Sequence, residues 1–190
     1  MNAMTLALNQ VVSDPFDRPQ VETVRFTMYR RLIHLSPCLP LPGGYELEPW
    51  TLRSTAECSA SLKLAYSCSP DTDVYSNLTT HRGCARLLDE LTDMPGFLPD
   101  ASWVVTKDGV PCAAILSGCT AGGVFGQIHV VAVVPRHRRR GLATFLIRKA
   151  LWALRDRGLS FVTLHVNRAN RGAIRFFRSA DFQVNASSVY

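Results

Sequence analysis

From residue 109 to residue 135 the chain runs for 27 residues without an Asp, Glu, Lys or Arg, then turns abruptly into Arg136-His137-Arg138-Arg139-Arg140-Gly141. A charge-free run of that length is either buried or membrane-embedded, and a spanning helix needs about 20 predominantly apolar residues. Here Pro111, Gly118, Gly122, Gly123, Gly126, Gln127 and Pro135 punctuate the run, which breaks a helix and suits buried strands. The reading is therefore strands over 103–106 and 110–117, joined by the hairpin signal Lys107-Asp108-Gly109. A continuous apolar strand follows over 124–134, as expected of a central strand.

The remaining elements follow from periodicity. Residues 1–20 are polar and Pro-containing, 21–35 read as a strand or an arm, and 37–44 form a Pro/Gly connector. We therefore expect an N-terminal arm and connector over 1–44, partly flexible, and one domain over 45–190. Strands are predicted over 45–49, 161–166 and from 182. Helices are predicted over 54–67, 80–92, 142–157 and 170–179. In the third helix Leu142, Phe145, Leu146, Ala150 and Ala153 trace one apolar face, and Gly158 ends it. The fold class is α+β, a mixed and mostly antiparallel sheet with helices on both faces.

Charge enters through its distribution. Residues 136–178 hold 12 basic residues and one acid, Asp156, a balance of +11 against +6 for the whole chain. The basic set is 18 Arg and only three Lys, and Arg presents the better fork to phosphate oxygens; genome composition alone would also produce that bias. The six cysteines form no Cys-x-x-Cys pair and no zinc-spaced cluster, so they read as buried thiols, with no metal. No charged segment followed by an apolar one opens the sequence, so we expect a cytoplasmic protein without membrane partners.

A buried strand that runs through Pro135 into a basic turn, with Gly141 before a helix, aims free backbone N–H groups and the positive end of a helix dipole at one spot. A phosphate or pyrophosphate is the natural occupant. The spacing Arg138-x-x-Gly141-x-Ala143 resembles the Arg/Gln-x-x-Gly-x-Gly/Ala signature of the GNAT N-acetyltransferases. Downstream, Leu164-x-Val166-x-x-x-Asn170-x-x-Ala173-x-x-Phe176-Phe177-x-x-x-Asp181-Phe182 resembles the second motif of that superfamily. Together the two motifs span residues 127–184.

The resemblance implies a central pair of parallel strands that splay apart, with acetyl-CoA as cosubstrate and an amine as acceptor. Its pyrophosphate would sit on Arg138, Arg139, Arg140, Gly141, Leu142 and Ala143, and its pantetheine against Val131, Ala132 and Val133. Asn170, Ala173, Phe176 and Phe177 would complete the cofactor wall; Asn170 reads equally well as a helix N-cap. The Val133 backbone N–H would polarise the thioester carbonyl. His129 is the candidate base, on the face of Val131 and Val133 by strand alternation; an imidazole near ~6.5 suits that task, and its other reading is a buried, hydrogen-bonded histidine. Gln127, two residues earlier, cannot act as a base. His137 and His165 read as structural or phosphate-adjacent. Phe177 stands where the family often has Tyr, so the proton for the leaving thiolate would come from water, Ser179 or Tyr190, if any acid serves. Asp181 and Arg139 stand where the family has Gly.

Two alternatives accompany this reading. One is a GNAT-like protein that binds acyl-CoA without catalysis, which Phe177 favours. The other is a basic nucleic-acid-binding module, against which stands the lack of an aromatic platform or recognition helix. The acceptor is a small molecule or a peptide. Acids over 45–100, among them Glu46, Glu48, Asp71, Asp73, Asp89, Glu90, Asp93 and Asp100, either favour a cationic amine or form a solvated face. Monomer and homodimer are both open.

Overall fold

A computed structural model describes residues 25–51, 53–67, 69–73, 75–120 and 123–185. Residues 1–24, which include most of the expected arm, lie outside these. The described residues form one seven-stranded sheet in the order β2-β3-β4-β5-β6-β1-β7. In chain order the strands are β1 (Arg25–Arg31), β2 (Glu46–Pro49), β3 (Trp103–Lys107), β4 (Val110–Cys119), β5 (Gly126–Val133), β6 (Phe161–Asn167) and β7 (Gln183–Val184). The helices are α1 (Ser54–Tyr66), α2 (His81–Thr92), α3 (Leu142–Asp156) and α4 (Arg171–Ser179). All neighbouring strands pair antiparallel except β5 and β6, which is the mixed sheet expected. β1, on the arm side of residue 44, is hydrogen-bonded between β6 and β7.

The helices divide between the two faces. On one face α3 and α4 bury Leu142, Leu146, Leu151, Leu154, Ile174 and Phe177 against Ile115, Ile128 and Leu164. Burial of each large apolar side chain contributes about 1.5–3 kcal/mol, and the 3–4 spacing of these residues in α3 is what makes the helix amphipathic. On the other face α1 and α2 bury Cys58, Leu62, Leu87, Leu88 and Leu91 against Leu116, Val130 and Ala132. Thr80 caps α2, its side chain accepting from Gly83 N–H at 2.9 Å. Of the cysteines, Cys58, Cys84 and Cys112 are buried as expected, while Cys38 is exposed and Cys119 half-buried. Burial pushes the Cys58 and Cys84 thiols up to about 12 and about 11, which leaves them protonated and inert.

Asp181 and Arg139, which replace family glycines, both take left-handed backbone, with φ of 61° and 62°. Asp tolerates that conformation better than most residues. Asp181 also pairs with the buried Arg30 at 3.2 Å, so the turn before β7 keeps its shape without glycine. No helix among the described residues is long and apolar enough to cross a membrane.

Candidate active site

The parallel strands β5 and β6 pair only at Gly126–Val162, Gln127–Thr163 and Ile128–Leu164. Beyond that point they part, while β5 stays paired to β4 as far as Val133. Val134 N–H donates to Cys112 O at 2.9 Å, so Ala113 and Val133 form a non-hydrogen-bonded pair of the antiparallel ladder, and Ile115 and Val131 form the next. The main-chain groups of Val131 and Val133 therefore turn away from β4, into the gap. A cleft of about 720 Å³ opens there, walled by β5, the turn after it, β6, α4 and the segment from Ala65 to Leu78.

At the cleft's β5 end, Gly141 takes a φ of 83° at the N-cap of α3, and no side chain caps the helix. A left-handed φ costs an L side chain about 1–2 kcal/mol, hence glycine here. Leu142 and Ala143 line the cleft, and so does the exposed Arg139, which makes no side-chain hydrogen bond or ion pair among the described residues. Arg138 lines it too, but its guanidinium is committed to the main chain, Nε donating to Val133 O at 3.1 Å and Nη2 to Ala65 O at 2.7 Å. It ties the last turn of α1 to the end of β5. Arg140 is exposed and outside the cleft lining. His137 is structural: Arg136 Nε donates to its Nε2 at 3.0 Å, which leaves Nδ1 to donate to Tyr45 Oη at 3.0 Å. Burial, then Arg136, Arg140 and Lys107, lower its pKa, so the ring is neutral.

The β6 end differs. Asn170 Oδ1 accepts from Ala173 N–H at 3.0 Å and caps α4, while its Nδ2 donates to Asp71 Oδ2 at 3.0 Å. Ala173, Phe176 and Phe177 line the cleft. Phe177 is buried edge-on against Phe182, centroids 5.7 Å apart. Of the two hydroxyls expected in its place, the structure describes one. Ser179 donates to Phe176 O at 2.6 Å near the far end of α4, outside the lining, and Tyr190 lies outside the described residues. The phenols in the cleft lining are Tyr66, the last residue of α1, and Tyr75, beside the aliphatic hydroxyls of Ser69 and Thr144. Burial and then the Asp71 carboxylate raise the Tyr66 pKa, which keeps its phenol protonated at neutral pH. Nothing in the local sequence marks either tyrosine.

His129 lies at the point where the strands part, but not on the face alternation predicts. The β4–β5 register shifts between Leu116 and Ser117, with Leu116 opposite Val130 and Ser117 opposite Ile128. His129 is the extra residue of a β-bulge. In consequence Ile128 packs beneath α3 and α4, whereas Val130 packs beneath α1 and α2. The His129 ring lies over Gly118, its Nε2 only 2.7 Å from where a β-carbon would stand; a glycine there leaves room for it. Since Leu116 belongs to the α1/α2 core, alternation along β4 puts Gly118, and His129 with it, on that face rather than with Val131 and Val133. On the opposite lip His165 Nδ1 hydrogen-bonds Thr27 Oγ1 at 3.2 Å. Among the described residues no group of three or more His, Cys, Asp or Glu could hold a metal ion.

Comparison with known proteins meets this geometry. The model of the acetyltransferase (GNAT) family matches residues 73–182. The mycothiol acetyltransferase of Thermobifida fusca is 40% identical over 73 residues, 38% of this chain and 23% of that protein. The matched segment thus spans about a quarter of that relative's length. Among solved structures, the GCN5-related N-acetyltransferase from Sphaerobacter thermophilus superimposes with a TM-score of 0.66 at 20% identity, over 96% of this chain and 53% of that one. The PaiA N-acetyltransferase from Thermoplasma acidophilum, in complex with coenzyme A, gives 0.60 at 12% identity, over 76% and 92%. At these identities the structural likeness speaks for the fold.

Proposed function

Because this chain belongs to the GNAT acetyltransferase family, we propose that it transfers the acetyl group of acetyl-CoA to an amine by direct attack on the thioester. One observation carries the reading. The uncapped N-terminus of α3, behind a left-handed Gly141, opens into the same cleft as the main chain of Val131 and Val133, which β4 leaves unpaired. Acetyl-CoA fits this donor set. The N–H groups of Leu142 and Ala143 and the Arg139 guanidinium suit its pyrophosphate, and the open strand edge suits the amides of its pantetheine arm. Arg138 and Arg140 add positive charge around the turn, and Ala132, Asn170, Ala173, Phe176 and Phe177 complete the wall.

The geometry of β5 supports a division of roles along it. Val133 lies four residues on from His129, about 13 Å of strand, and the strands part at the His129 end. We assign the thioester to that apex, which moves the carbonyl-polarising role expected of the Val133 N–H to the Val131 N–H and leaves the Val133 N–H to the arm nearer the turn. The amine approaches from the α1/α2 face, onto which the bulge turns His129, and His129 takes the proton the amine loses as the C–N bond forms and the C–S bond breaks. Phe177 has no proton for the departing thiolate; Tyr66 and Tyr75 are the phenols in the cleft lining.

Release of free coenzyme A from acetyl-CoA, measured against a panel of amines, tests the activity. Amine-dependent release supports it; tight coenzyme A binding with no release for any amine supports the binding-only alternative. A salt-sensitive DNA complex that survives saturating coenzyme A would overturn it in favour of the nucleic-acid reading. For the base, His129→Gln is expected to lower kcat about 100-fold and flatten the acidic limb of kcat/KM; unchanged turnover across pH sinks that assignment.

A further inference from the structure

The gap between β5 and β6 perforates the sheet, so the cleft has two sides. The side under α3 and α4 carries the arginine turn. The side under α1 and α2 carries Tyr66, Asp71 and Tyr75. Asp71 is half-buried there, and its Oδ2 accepts from Ser69 Oγ at 2.6 Å and Asn170 Nδ2 at 3.0 Å. Both donors are neutral, and no Lys, Arg or His among the described residues pairs with the carboxylate. The loop that carries it is held on a second point, Asn167 Nδ2 donating to Pro70 O at 3.1 Å. A fixed, partly desolvated carboxylate without a counter-ion attracts a cation more strongly than a surface acid does. The same corner already holds one cation against an aromatic ring, the Arg25 guanidinium 4.8 Å from the Tyr75 centroid.

Position decides which nitrogen Asp71 serves. Asn167 lies two residues, about 7 Å, along β6 from His165, where the strands have just parted, and Asp71 is bound to Asn170, three residues further on. The carboxylate therefore stands several ångströms from the apex assigned to the thioester, too far to hold the amine under attack. We propose that Asp71 docks a second, protonated nitrogen of the acceptor, with Tyr66 as an aromatic wall beside it. The acceptor class is then a diamine, a polyamine or an amino sugar rather than a simple monoamine. This rests on the acetyl-transfer reading above.

The test compares 1,4-diaminobutane with butylamine, by coenzyme A release and by calorimetric titration into protein saturated with coenzyme A. The wild type is expected to favour the diamine by about tenfold or more in both measurements. Asp71→Asn, which still accepts from Ser69 and Asn170, should erase that preference through KM while kcat and coenzyme A affinity hold. Added salt should weaken diamine binding to the wild type, which needs no variant to fold. Equal binding of the two amines, salt-independent diamine binding, or an unchanged preference in Asp71→Asn would each overturn the proposal. Asp71-dependent diamine binding without any coenzyme A release would uphold this site and bring down the transfer reading alone.

Discussion

Two helix N-termini border the cleft, and they differ in how their first turns are satisfied. β5 and β6 run parallel, part at the same level, and each feeds a helix at the same end of the sheet. α4 begins with a side-chain cap, Asn170 Oδ1 on Ala173 N–H, which satisfies one of the orphan donors of its first turn. α3 begins at a glycine with no side-chain cap and with arginines around it. A capped terminus is stable and less available; an uncapped one is less stable and free to bind an anion. The open terminus is the one to which the proposed function assigns the phosphate, although the strands that lead to the two ends are alike.

The comparison can be broken in three places. Gly141→Asp puts a carboxylate on the open terminus, where it would cap the helix and repel phosphate; coenzyme A affinity by calorimetry should fall about 100-fold. Retained affinity would show that the α3 terminus does not hold the cofactor. Asn170→Ala should remove about 1 kcal/mol of capping and lower Tm by about 2–4 °C, with coenzyme A affinity within about threefold. A loss as large as that of Gly141→Asp would make the two termini equivalent. The smallest effect concerns the base of the open turn. His137 is held neutral with its pKa below the ordinary value, so as pH falls through about 6.5 the unfolded chain takes up the proton first and stability is lost. Between pH 7.5 and 5.5, His137→Gln should therefore lose less Tm than the wild type, by about one degree; parallel Tm profiles would exclude this contribution.

Much of this site is legible in the chain because it is local. The strand, the Pro135 break, the basic turn, Gly141 and the apolar stripe of α3 occupy consecutive residues, and each acts on its neighbours. Asn170 was readable in two roles, and its capping role is seen directly. Arg139 and Asp181 stand at family glycine positions because both positions are left-handed, which their side chains endure at some strain. The face of His129 was misread because a bulge is a property of register against β4, and strict alternation along β5 cannot reveal it. Arg138 looked like a free phosphate fork and instead bridges to Ala65, 73 residues away.

The sequence by itself determined the α+β class, the order of its elements, the glycine turn before α3 and the family. All of these rest on contacts within a few residues, where composition and spacing translate directly into backbone geometry. Only the tertiary structure decided where the strands part, which way His129 turns, and that Tyr66, Asp71 and Tyr75 meet Asn170 across one cleft. Asp71 and Asn170 lie 99 residues apart in the chain. Contacts at that separation are set by how helices pack on the sheet, and that packing is a sum over the whole core rather than a pattern in any one segment.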